Sequence, residues 1–169
     1  MVLGMIAFGM TIVMILGEID LSVGSIAAFS CAFGGLFVDS GSSSLVIFLT
    51  LFAGIVVGFL NGVGVALIKV PSLIMTLGTM AIIRNVGYVM TSGQAAYPTK
   101  LEIYMASAKG YLGIIPIPVI IFIIVSILAL FVVRYLTVGK SFYVVGANPI
   151  ASFLSGINNN AAKIIAFTI

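Results

Sequence analysis

The sequence has no histidine and no tryptophan, a single cysteine, five prolines, and only four acidic and seven basic side chains. Without histidine, and with Cys31 as the sole thiol, no ordinary zinc or iron cluster can be assembled and no internal disulfide can form. No imidazole is present to activate Cys31 or a serine, so an intramembrane hydrolase has no machinery here. Cys31 stands among Ala, Ser, Phe and Gly and is expected to be a small apolar packing residue. The net charge of +3 comes without a basic cluster, which leaves no footprint for nucleic acid. No basic leader precedes the first apolar run, and Ala/Gly-rich runs follow it, so the N-terminus does not read as a secretory signal.

The shortage of charge is the most restrictive absence. Only 7% of the chain is Asp, Glu, Lys or Arg and 62% is hydrophobic, whereas soluble domains carry roughly 25% charged residues. Such a composition cannot cover a globule with a solvated surface, so lipid is the solvent. The expected fold is all-α, a polytopic transmembrane helix bundle.

A helix crossing the bilayer needs about 20 apolar residues, with roughly 17 to 25 tolerated. Residues 1–17, 21–38, 45–68, 72–91 and 116–136 satisfy this as about five full spans, the first at the short limit. Residues 161–169 begin a further apolar run whose nine residues cover about 14 Å, against a core of about 30 Å. The expectation is therefore a single transmembrane domain over 1–169, part of a longer protein. Arg134, Lys140 and Lys163 flank the polar stretch 137–160, which places it in the cytoplasm. Counting back one crossing per span puts 92–115 outside, Lys69 inside, Asp39 outside and Glu18 with Asp20 inside. In 45–68, Gly54, Gly58 and Gly62 recur at every fourth residue, a spacing that lets helix backbones approach closely in lipid.

Polar side chains inside the apolar runs are candidates for function: Glu18, Asp20, Asn61, Thr76 and Arg84. Two readings compete for the carboxylates of GEIDLSVGS. In one they form a water-exposed hairpin turn, with Asp20 as N-cap of a helix starting at Leu21. In the other they form an intramembrane ion or proton site. Arg84 stands twelve residues into its span and must face protein or water, because an isolated charge there costs at least ~2.5–3.5 kcal/mol on insertion scales. Pairing with a carboxylate, holding backbone carbonyls and contact with cargo are the open roles.

The stretch 137–160 has its own local logic. Asn148 caps a helix, Pro149 suits its first position and Gly156 stops it. On the enclosed segment, Ile150, Phe153 and Leu154 fall at i, i+3 and i+4 and form one apolar stripe. The stripe either receives a partner or folds back on the bundle. The neighbouring VGKS, 138–141, is not a phosphate loop, since Arg134 stands where its first glycine is required and no strand precedes it.

Three blocks carry a family resemblance. GEIDLSVGSIAA resembles the Gly-Gly-Ile-Asp-Leu-Ser-Val-Gly-Ser signature of ribose-type sugar permeases, the membrane subunits of bacterial ATP-binding-cassette importers. NGVGVALIKVPSLIMTLGTMAIIRNVGYVMT (61–91) and GKSFYVVGANPIASFLSGIN (139–158) are similar to two further blocks of that family, in the same order. Glu18 departs from the family's usual glycine, as does Asn85. The resemblance implies inward transport of a simple sugar across the bacterial cytoplasmic membrane, with no cofactor and no catalysis on this chain. It implies three partners besides lipid: a separate ATPase subunit, a second permease subunit (a copy or a paralogue) and a periplasmic or extracellular sugar-binding protein. Within it, 137–160 with Gly139, Asn148, Pro149, Ile150, Phe153, Leu154 and Gly156 corresponds to the loop that couples to the ATPase. The competing function is an ion-coupled carrier or channel using Glu18, Asp20 and Arg84.

Overall fold

A computed structural model describes residues 1–38, 41–94, 106 and 108–169. In chain order the chain forms α1 (Val2–Ile15), α2 (Val23–Gly35), α3 (Ser43–Ala66), α4 (Ser72–Met90), β1 (Tyr111–Leu112), β2 (Ile115–Pro116), α5 (Ile117–Tyr135), α6 (Thr137–Ala147), α7 (Pro149–Leu154) and α8 (Asn159–Thr168). The fold is all-α. The two short strands pair antiparallel, Tyr111 opposite Pro116, and are the only strands among the described residues. Asp39, which enters the expected topology, and residues 95–105 of the stretch expected outside lie beyond the described residues.

Local chemistry sets the helix limits. The Ser42 hydroxyl accepts the Leu45 N–H at the start of α3, and proline precedes both α4 and α5. Between α3 and α4 the chain reverses through Lys69, whose φ of 61° lies in the left-handed region. With 24, 19 and 19 residues, α3, α4 and α5 are long and apolar enough to cross a membrane. The runs expected as the first two spans end sooner: α1 has 14 residues and α2 has 13, about 20 Å each. Gly17, at φ +76°, and the side-chain hydrogen bonds of the following residues take the intervening stretch out of helix. The polar stretch 137–160, expected to hold one short helix, holds both α6 and α7, because Phe142 and Val145 on α6 are fully buried and anchor it.

Packing partners give the directions. Phe8 of α1 meets Phe122 near the start of α5, whereas Ile12 and Leu16 pack with Val133 near its end. Ser22 binds Asn61 while Ser30 sits by Gly54, so α2 runs antiparallel to α3. Leu21 meets Thr76 and Phe29 sits by Gly87, so α4 runs alongside α2. The end of α1, the start of α2, the α3–α4 turn and the end of α5 therefore share one end of the bundle. Lys69, Arg134, Lys140 and Lys163 are at this basic end.

The core lies there too. Ile12 and Leu16 pack with Phe142, Val145, Ala162 and Ala166, and Val13 packs with Val65 and Phe167. Helix α8 thus joins α1, α3 and α6. The glycine stripe of α3 serves two neighbours: Gly54 faces α2, whereas Gly58 and Gly62 face the backbone of α8. A Cβ at Gly62 would lie 2.8 Å from the Ile164 Cα, while one at Gly54 would meet side chains alone, the Ser30 hydroxyl at 3.2 Å and Ile26 at 3.9 Å. Backbone cannot rotate away as a side chain can. Gly62→Ala is therefore expected to destabilise the bundle by ~1–3 kcal/mol, and Gly54→Ala by less. Thermal unfolding of the two variants in detergent checks this, and equal losses would contradict the α3–α8 contact.

Candidate functional site

Between α1 and α2 the chain crosses the middle of the basic end as an irregular strap. Backbone groups withdrawn from water need partners, and side chains of α4 and of the strap itself supply them. The Ile19 N–H donates to the Ser72 hydroxyl and the Leu21 N–H to the Thr76 hydroxyl, both at 3.2 Å. Asp20 is 2% exposed. Its Oδ1 accepts from the Ser22 N–H at 2.7 Å and from the Ser22 hydroxyl at 2.6 Å. The Asn61 amide then donates to Ser22 Oγ at 2.9 Å, and the Thr79 hydroxyl donates to Asn61 Oδ1 at 2.6 Å. Glu18 forms an ion pair with Lys163 of α8. The strap is thereby fastened to α3, α4 and α8 at once.

This corrects the reading of Asp20 as an exposed N-cap at Leu21. Helix α2 starts at Val23 with Ser22 as N-cap, and no side chain caps it; the Asp20 carboxylate turns inward onto Ser22 instead. Burial removes water from the carboxylate, and the two Ser22 donors replace part of that solvation. Glu18 and Asp20 are not presented together as a cation cage, and among the described residues no three His, Cys, Asp or Glu side chains are grouped to hold a metal. Asn61 and Thr76 are brought together at the strap by these hydrogen bonds. Ser22, Ser72, Thr79 and Lys163 escaped the sequence reading, although Ser72, Thr76 and Thr79 at i, i+4 and i+7 mark one hydroxyl-bearing face of an apolar helix.

Behind the strap, α7 projects from the basic end. Asn148 Oδ1 accepts the Ile150 and Ala151 N–H groups, both at 3.0 Å. Pro149 occupies the first helical position, and Gly156 leaves the helix at φ +80°. Six residues make a helix that is marginal alone, and α8 secures this one. The Ser152 hydroxyl is fully buried and meets Asn159 Oδ1 at 2.6 Å, while the Asn159 amide donates to the Pro149 carbonyl at 2.7 Å. The outer face stays bare: Ile150 is 75%, Phe153 72% and Leu154 80% exposed. The stripe does not fold back on the bundle. Gly139 is buried where α6 turns against Val132 and Val133 of α5, so VGKS lies within a helix and not in a loop.

Arg84 is the thirteenth of the nineteen residues of α4 and is exposed. The expected pairing with a carboxylate or backbone carbonyl is not observed among the described residues. The side chain instead borders a groove of about 400 Å³ between α2 and α4, together with Asn85, Tyr88 and Thr91. Cys31, expected as a packing residue, is exposed on the α2 side of this groove. Its helix presents it beside Ala28 and Ala32, which are too small to bridge to α4.

A membrane-spanning bundle with polar interior fastenings and an outward apolar helix at its basic end has the features of a permease component. The chain belongs to the family described as branched-chain amino acid transport system / permease component, whose model matches residues 1–169. It is 35% identical to the ribose import permease protein of Haemophilus influenzae, over 97% of this chain and 52% of that protein. It is 33% identical to the autoinducer 2 import system permease protein of Photorhabdus laumondii, over 99% of this chain and 50% of that protein. The corresponding Escherichia coli permease (strain K12 / DH10B) is also 33% identical, over 99% and 49%. The chain spans about half the length of the curated relatives it matches. No solved structure matches it.

Proposed function

We propose that this chain is part of the permease subunit of an ATP-binding-cassette importer, moving a simple sugar or a similarly small polar cargo inward across the bacterial cytoplasmic membrane. The carrying observation is α7, an apolar stripe held rigidly clear of the bundle at its basic end. Basic residues favour the cytoplasmic side, so the stripe faces the compartment that holds ATP. An exposed apolar patch rimmed by polar groups marks a protein contact. A separate ATPase docks there and hydrolyses ATP, leaving no catalytic step to this chain. A second permease subunit completes the pathway, and a sugar-binding protein delivers cargo at the opposite face. The names of the relatives, ribose import and autoinducer 2 import, support the small polar cargo.

An ion-coupled carrier built on Glu18, Asp20 and Arg84 is less well supported. Glu18 is paired with Lys163, and Asp20 is engaged by Ser22. Reconstitution of the full-length permease with its ATPase and binding protein separates the two readings. ATP-driven ribose uptake into proteoliposomes that survives a protonophore is the expected result. Uptake that follows a proton gradient and needs no ATP would overturn the importer reading.

A further inference from the structure

The groove between α2 and α4 brings the Arg84 guanidinium, which meets no carboxylate among the described residues, together with neutral polar side chains inside a membrane-spanning segment. Arg84 lies about 18 Å along α4 from the basic end and about 9 Å short of the opposite end. A guanidinium at that depth is costly against acyl chains and is expected to face protein or water. No carboxylate meets it among the described residues. Its neighbours Tyr88 and Thr91 follow at i+4 and i+7 on the same face of α4, and Gln94 extends the polar wall beyond the helix end. Opposite stand Ala28, Ala32 and Phe29 of α2.

We propose that this groove is a cargo subsite for an uncharged, polyhydroxylated ligand, with Arg84, Asn85 and Tyr88 as its hydrogen-bonding wall and Phe29 as its apolar wall. The assignment rests on the importer reading above. Its volume of about 400 Å³ falls in the range of small-molecule sites, roughly 300–1,000 Å³. Arg offers donors only, which suits the lone pairs of hydroxyl oxygens, whereas Asn, Gln and Tyr both donate and accept. Among the described residues Arg84 is the one cation lining the groove, and its donors suit the oxygens of a neutral polyol. Asn85 has spare capacity: its amide donates to the Ala81 carbonyl at 2.7 Å, leaving the side-chain oxygen for a ligand hydroxyl.

Cys31 provides the probe, because it is exposed within the same groove. The test uses the full-length permease with its ATPase in membranes, with any other cysteine of either chain replaced so that Cys31 is the only thiol. A water-soluble maleimide is expected to label Cys31, and ribose at ten times its dissociation constant is expected to slow labelling about tenfold. Arg84→Gln should abolish that protection while leaving labelling itself intact, and Tyr88→Phe should reduce it. Failure to label Cys31, under conditions where the denatured protein reacts, would show the groove covered by lipid or by another helix and overturn the proposal. Labelling that ribose does not slow, or protection unchanged in Arg84→Gln, would overturn it as well. ATP-driven uptake is read separately. Normal ribose uptake without protection removes the groove and leaves the importer standing, whereas protection without ATP-driven uptake does the reverse.

Discussion

Replacing Phe153 by alanine is expected to weaken association of the full-length permease with its ATPase by about 2 kcal/mol, roughly thirtyfold. Insertion into the membrane should be unchanged, since α7 projects from the bundle and Phe153 is exposed. A few buried anchors dominate most interfaces, and aromatic side chains are frequent among them. Phe153 is the largest apolar side chain of the stripe, and it is offered from a helix that is already ordered. The Asn148 cap and the Ser152–Asn159 pair hold that helix in place before any partner arrives, which lowers the ordering cost of docking. Removing the cap alone, Asn148→Ala, should cost less, ~1 kcal/mol, by fraying the first turn. Co-purification of the ATPase with each variant and ATP turnover in liposomes are the measurements. Unchanged binding and turnover in Phe153→Ala would remove α7 as the docking surface.

The second large effect is expected at Asp20. Asp20→Ala leaves the Ser22 N–H and hydroxyl without their acceptor in a site where Ser22 is fully buried. Each buried polar group left unpaired costs ~1–3 kcal/mol. Loss of the carboxylate also removes the cost of burying it, so the net destabilisation expected is about 3 kcal/mol rather than the sum. Asp20→Asn keeps an acceptor oxygen of the same reach and should recover most of the loss. Thermal unfolding in detergent reads the pair of variants. If Asp20→Asn proved as unstable as Asp20→Ala, the charge and not the hydrogen bonds would be what the strap requires. Because the strap joins α1 and α2 to the first turn of α4, transport should fall with stability in the alanine variant even where folded protein is recovered.

The sequence by itself determined what depends on composition and on neighbours close in the chain. Its lack of charge set the solvent, and its long apolar runs set α3, α4 and α5. The Asn-Pro pair at 148–149 and Gly156 bounded α7 within a residue, because capping acts over three or four residues. The period of Gly54, Gly58 and Gly62 announced close helix contact on α3. It did not say that the stripe divides between α2 and α8, a matter of which helices lie alongside. The extent of α1 and α2 was overestimated, since an apolar run reads the same whether it continues as helix or breaks into a strap. Cys31 is exposed where packing is expected, and the choice among the open roles of Arg84 is not legible in the sequence, because exposure toward a groove depends on the helix opposite. The fate of Glu18 and Asp20 was decided only in three dimensions. Lys163 is 145 residues from Glu18, and the hydroxyls of Ser72 and Thr76 reach the strap from more than fifty residues away. Periodicity cannot report such pairings: no local rule selects a partner that far along the chain, and burial under α3 and α4 makes each one necessary.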